Sequence, residues 1–230
     1  MGTARIIDSH IHCGVQHSDL PFERITPLLR QAGITDACLF APVEDVYDRD
    51  DFHFQDNDQW QQTRRAANRY LLDLAGQGES VFPYLFVWND FAIDELRHPY
   101  RGIKWHRHSY EPEYQYDDPR CAAMLDAITR RRLPVVLEES YANTLRFADL
   151  ALASAVDLRH FVEHYGPGKL LFGSDFPFGT PAHELRKIRQ LNLSAADFDQ
   201  VVCGNILRLL PAVSDPCMSG GVGPGQRIFF

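Results

Sequence analysis

Apolar and polar positions along the 230-residue chain fall into runs of two kinds. Nearly continuous apolar runs occupy Ala4–His12, Ala37–Pro42, Val81–Val87, Gly102–His106, Val135–Glu138 and Leu170–Ser174. Each is short enough, and rich enough in large apolar side chains, for a strand covered on both faces. Between them, Phe22–Gln31, Gln59–Leu74, Arg120–Arg131 and Ala182–Gln190 space their apolar residues as a helix with one packed face does. In Arg120–Arg131 that stripe is Met124, Leu125 and Ile128. Strands alternating with helices predict a parallel sheet in an α/β fold.

Polar residues break the apolar pattern at two strand ends. The first run finishes in D-S-H-I-H, residues 8–12. Strand side chains alternate, so Asp8, His10 and His12 are expected on one face, with Ile7 and Ile11 on the other. A lone H-x-H is more often two ordinary histidines than a ligand pair. The last run, L-L-F-G-S-D-F-P, changes the balance by delivering Asp175 between the small Gly173 and Ser174 and the strand-ending Pro177. A carboxylate there is costly to bury unless it meets a cation or hydrogen-bond donors. His10, His12 and Asp175 therefore predict one divalent-metal site, zinc first and manganese as the alternative.

These motifs carry a resemblance. D-S-H-I-H (8–12), G-I-K-W-H (102–106), L-P-V-V-L (133–137), Y-G-P-G-K-L-L-F-G-S-D-F-P (165–177) and G-N-I-L-R-L-L (204–210) resemble, in order, the metal-dependent amidohydrolase superfamily. The similar branch is the one that includes aminocarboxymuconate-semialdehyde decarboxylase. The resemblance implies a (β/α) barrel with metal and substrate at the C-terminal ends of its strands. Residues 1–210 then form the barrel domain and 211–230, rich in Gly, Pro and Ser, a flexible tail.

Inside such a barrel Asp8 is a buried orienting partner, and Lys104 and His106 face the lumen as substrate-binding groups. The superfamily supplies a metal-binding His after L-P-V-V-L, whereas this chain has Glu138 and Glu139. Glu138 is thus a candidate third protein ligand; an acid/base role or an ion pair with Lys104 is its alternative. Asp175 follows Glu138 by only 37 residues. One βα unit needs roughly 30 residues, so the barrel is expected to be incomplete, with six or seven strands and a unit missing near Asp149–Leu150. Residues 150–157 resemble the superfamily's next-to-last strand; a continuous helix from Asn143 to Tyr165 is the alternative. H-F-V-E-H, His160 to His164, matches an inverted zinc-peptidase pattern, but it falls where the superfamily places an outer helix and reads as a decoy. The loops Val43–Asp58, with His53, and His106–Pro119, with Tyr110, Tyr114 and Tyr116, follow strand ends and read as pocket-shaping segments or as ordinary solvated loops.

Composition narrows the partners. A net charge of −8 argues against nucleic acid and anionic membranes. The opening M-G-T-A-R-I-I-D has no signal-like apolar core, and the five scattered cysteines contain no C-x-x-C, so reduced thiols and a cytoplasmic setting are expected. The leading functional expectation is a hydrolase in which metal-activated water attacks a small carboxylated amide, ester or lactone. There Asp175 takes the proton and Lys104 and His106 hold an acidic group. A metal-dependent decarboxylase is the second expectation. A shortened, non-catalytic relative that serves as a binding protein is the third. An unpaired strand edge in a shortened barrel would favour homo-oligomers.

Overall fold

The computed structural model describes residues 5–107, 114, 118–139 and 155–211. Five parallel strands are hydrogen-bonded in sequence order: β1 (Ile7–His12), β2 (Asp36–Phe40), β3 (Val81–Val87), β4 (Gly102–Arg107) and β5 (Val135–Glu139). A purely parallel sheet in which each strand joins its predecessor curls toward a barrel, and an incomplete barrel is what forms. Helices α1 (Phe22–Ala32), α2 (Asp58–Gly76) and α3 (Pro119–Arg131) follow β1, β2 and β4, and α4 (Ala155–Tyr165) and α5 (Pro181–Gln190) come later. The last helices among the described residues are the short α6 (Ala195–Asp199) and α7 (Asn205–Leu209).

Helix boundaries follow local chemistry. Asn57 caps α2 by accepting from the backbone N–H of Gln59 and Trp60, and Gly33 ends α1 in the left-handed region at φ 77°. In α3 the buried stripe is Cys121, Met124, Ala127 and Ile128; Leu125 is 46% exposed and lies off it, a correction to the expected stripe. That stripe packs on Leu85, Ile103 and Trp105 of the outer sheet face. Residues 155–157 belong to α4, so the strand reading fails there, and the rest of 150–157 is outside the described residues. So are the joint near Asp149–Leu150, Tyr110 and Tyr116, and the tail from 212 onward.

The segment Leu170–Ser174 is not a regular strand, although it lies where one was expected. Ser9 N–H donates to the Phe172 carbonyl at 2.9 Å, Asp175 N–H to His10 at 2.8 Å, and His12 N–H to Phe176 at 2.9 Å. A single parallel bridge, Ile11 to Phe176, results along the edge of β1 that β2 leaves open. Asp175 adopts φ 52°, outside the extended region, which interrupts the ladder. The sheet thus joins the two ends of the folded unit.

Two polar side chains replace missing backbone partners. The β2–β3 register ends at Leu39 and Pro83. Beyond it, Asn68 of α2 accepts from Phe86 N–H at 2.8 Å and donates to the Phe86 carbonyl at 3.3 Å. Buried Asp45 accepts from the backbone N–H groups of Gln16, His17 and Ser18, fixing the loop after β1. Arg64 is similarly buried; it forks onto Asp56, reaches Asp90 and donates to the Val46 carbonyl, tying the loops after β2 and β3 to α2. No helix among the described residues is long and apolar enough to cross a membrane.

Asn68→Ala strands both Phe86 backbone groups in a buried site. It should destabilise the protein by about 2 kcal/mol, read as a lowered urea midpoint with an unchanged m-value. A loss below a few tenths of a kcal/mol would mean that water replaces the amide.

Candidate metal centre

The lumen is built from alternate residues of the sheet. Ile7, Cys38, Phe40 and Tyr84 form one buried cluster with Ile206 and Leu210, which plug it from below. Ile11 belongs instead to the cluster under α1 and α5, with Ile6, Ile25 and Leu185. Ile7 and Ile11 therefore do not share a side, contrary to strict alternation. The cause is a register shift between Asp8 and Ile11. Across it Asp8 Oδ1 accepts from the His10 backbone N–H at 3.1 Å, two residues ahead in its own strand, and from Ser174 N–H at 2.8 Å. Gly102 permits the floor: a Cβ there would lie 2.2 Å from the Tyr84 ring.

Above that floor His10, His12 and Asp175 converge. Their ligand atoms all lie within 4.8 Å of one another, and each imidazole Nε2 is 3.5 Å from Asp175 Oδ1. Bonds of about 2.0–2.1 Å at tetrahedral angles separate ligand atoms by about 3.3 Å, so the trio fits a divalent ion. His10 Nε2 is buried with no hydrogen-bond partner, the mark of a lone pair awaiting one. The Nδ1–H of His12 donates to the Ala41 carbonyl at 3.2 Å, which turns the Nε2 lone pair toward Asp175. Of the three, Asp175 is the most open, at 46% exposure.

Burial sets the charges here. His10 is held well below its ordinary pKa, first by desolvation, then by the electrostatic influence of Lys104 and His12, with Glu138 opposing. A neutral imidazole is the form that binds metal. Asp8 is pushed up to about 7 by desolvation, against the hydrogen bonds from Ser174 and His10. Asp8 Oδ2 has no partner, so its carboxylate holds two backbone amides at a cost in charge burial.

Glu138 stands apart from the trio. Its Oε2 takes Lys104 Nζ at 2.7 Å and His106 Nδ1 at 3.0 Å, the ion pair that the sequence left as the alternative to metal ligation. The pair still adjoins the metal centre through Phe40, whose ring is 4.6 Å from the His10 ring and 5.6 Å from Lys104 Nζ. Sequence reasoning missed Phe40, and also Phe178, whose exposed ring meets His12 edge-on at 6.2 Å. Phe40 ends β2 and Phe178 directly follows the D-F-P of the last motif, which was the one available signal. His164 is exposed at the end of α4, and the only His/Cys/Asp/Glu trio of metal-binding spacing among the described residues is His10, His12 and Asp175. An open cavity of about 520 Å³ lies around Arg5, Cys203 and Arg208, toward the opposite ends of the strands, and contains none of these ligands.

Residues 108–212 match the family described as Amidohydrolase. No curated protein matches the chain. Among solved structures, 5-carboxyvanillate decarboxylase from Sphingomonas paucimobilis is similar at 11% identity and TM-score 0.67, covering 90% of this chain and 99% of that one. A dihydroxybenzoic acid decarboxylase from Polaromonas sp. JS666, with bound manganese and 2-nitroresorcinol, is similar at 14% and 0.66, covering 89% and 96%. A probable 2-pyrone-4,6-dicarboxylic acid hydrolase from Acinetobacter baumannii, with citric acid bound, gives 11% and 0.58, covering 89% and 98%. Identities this low speak for the fold. The family match spans residues 108–212, and the solved structures share with this chain the architecture of a (β/α) barrel.

The raised pKa of Asp8 has a sign that can be checked. A carboxyl whose folded pKa lies above its unfolded value contributes stability below pH 4 and loses it as pH rises through 7. In metal-free protein Asp8→Asn, which keeps an acceptor oxygen, should therefore gain relative to the wild type by up to ~4 kcal/mol at pH 8 and by little at pH 4. Urea midpoints at the two pH values measure the difference; a gap that does not widen with pH removes the buried charge from the account.

Proposed function

We propose that the protein is a metal-dependent decarboxylase of a small carboxylated ring. The convergence of His10 Nε2, His12 Nε2 and Asp175 Oδ1, with the first of these buried and unpartnered, carries this reading. A divalent ion held by the three, zinc or manganese, would neutralise the substrate carboxylate and an adjoining oxygen. Phe178, exposed beside His12, offers an apolar face at the rim, and buried Phe40 supports the His10 ring from behind. As the carbon–carbon bond to the carboxylate breaks, its electron pair stays on the ring carbon. Asp175, open to the lumen, can hold a proton on its carboxylate and deliver it to that carbon. The similar decarboxylases are named for aromatic carboxylates, which supports this choice over hydrolysis.

Hydrolysis is the second reading, favoured by the similar pyrone hydrolase. Asp175 would then accept a proton from the attacking water and pass it to the leaving oxygen or nitrogen. Glu138 enters neither proton step, since its Oε2 is taken up by Lys104 and His106.

The test is made on purified full-length protein loaded with manganese or zinc, using carboxyl-¹³C hydroxybenzoates beside simple lactones. Release of labelled bicarbonate is the expected outcome; lactone opening without CO₂ release would put hydrolysis first. Well-folded protein that takes up no metal would instead return the chain to a binding role. His12→Ala should lower metal content, whereas Asp175→Asn should retain more metal and lose turnover by about 10²-fold or more. Equal metal loss in both variants would withdraw the proton-transfer role of Asp175.

A further inference from the structure

Two features at opposite ends of β2 complement each other. Past its C-terminal end, in the loop Val43–Asp58, Phe52 is 98% exposed. Single apolar residues on a surface are ordinary, but this one sits at the tip of an ordered turn. Asp48 Oδ1 accepts from the backbone N–H of Asp50 and Asp51, and Asp51 Oδ1 from that of His53. Phe54 N–H then donates to the Asp51 carbonyl at 3.0 Å, and the Phe54 ring meets Tyr47 and Trp60 edge-on. The turn presents a bare phenyl ring between exposed carboxylates, with little left to order on binding. At the N-terminal end of β2, where Arg5 bridges to Asp36, lies the open cavity of about 520 Å³. A cavity of about 150 Å³ already accepts benzene, so a phenyl ring fits here. Ala196, Cys203 and Gly204 give it small walls, and Arg5, Asp199 and Arg208 line it as well. Arg5 is matched by Asp36, whereas Arg208 donates to neutral acceptors, Asn205 Oδ1 and the Gly168 carbonyl.

We propose that Phe52 of one copy of this chain inserts into the Arg5, Cys203 and Arg208 cavity of the next, with Asp50 or Asp51 meeting Arg208. Within one copy the ring is bare and stands past the other end of β2, so a second copy is what brings ring and cavity together. Ring and cavity lie on different surfaces, which makes the contact heterologous and joins copies head to tail. This differs from association through an unpaired strand edge, the route that the sequence suggests. One aromatic anchor with a polar rim makes a small interface, so dissociation constants between about 1 µM and about 1 mM are expected.

Sedimentation velocity on the metal-loaded full chain across that concentration range should show a continuous rise in mean size. Phe52→Ser and Arg208→Glu should each weaken association at least about tenfold. Each variant keeps the half that the other lacks, so an equimolar mixture of the two should form dimers that neither forms alone. Cys203, half-buried in the cavity wall, supplies a second readout. Its alkylation, followed by peptide mass spectrometry, should slow at concentrations where the wild type associates, and should not slow in Phe52→Ser. A wild type that stays monomeric throughout overturns the proposal, and so does Phe52→Ser that associates as the wild type does. Folded single variants that lose association without recovery in the mixture overturn the head-to-tail pairing. If Arg208→Glu fails to fold, Cys203 in the wild type decides alone: alkylation independent of protein concentration overturns the proposal.

Discussion

One carboxylate holds the arrangement together. Asp8 Oδ1 accepts from an amide of its own strand, His10, and from one in the segment that arrives from the far end of the chain, Ser174. The first contact shifts the register of β1, and with it the direction in which His10 points. The second lays residues 172–176 along the open edge of β1, so that Asp175 reaches the two imidazoles. Burying that carboxylate with one oxygen unpartnered is unfavourable by itself. The compensation is geometric: two ligand-bearing segments are fixed by a single acceptor, and the φ of 52° at Asp175 is tolerated because both of its neighbours are anchored.

Much of this was legible in the sequence. The strand at Val81–Val87 and the starts of the neighbouring strands and helices are where apolar continuity and helical spacing put them, because burial on a parallel sheet leaves a strong one-dimensional trace. The pairing of His10 and His12 with Asp175 was also readable, since both motifs sit at strand ends with residues costly to bury. What resisted was set by contacts distant in sequence. Period two predicts that Ile7 and Ile11 share a face, and the register shift that separates them goes with Asp8 Oδ1 taking the His10 amide. Spacing likewise could not tell whether Leu125 or Cys121 faces the sheet. Nor could it divide the two uses of Glu138, since an ion pair and a metal bond ask for the same side chain.

Rigidity around the centre comes from side chains that act as pieces of backbone. Asn68 continues the ladder of β3 where Pro83 ends it, and Asp45 gathers three successive amides of the loop after β1. Arg64 does the same for the loops after β2 and β3, from a position 2% exposed. Loops at the mouth of a lumen are usually the loosest part of a fold. Here three of them are tied to one helix or to one another by charged and amide groups with their partners in place.

The strand order carries a consequence for how the molecule comes into being. Each strand pairs with the one made just before it, so the sheet can extend as the polypeptide emerges, with every new element finding its neighbour already present. The centre follows the opposite schedule. His10 and His12 lie on the first strand of the sheet, and Asp175 follows all five strands. The three candidate ligand positions are therefore complete only once Asp175 has been made, and a chain cut before it would offer only the H-x-H pair.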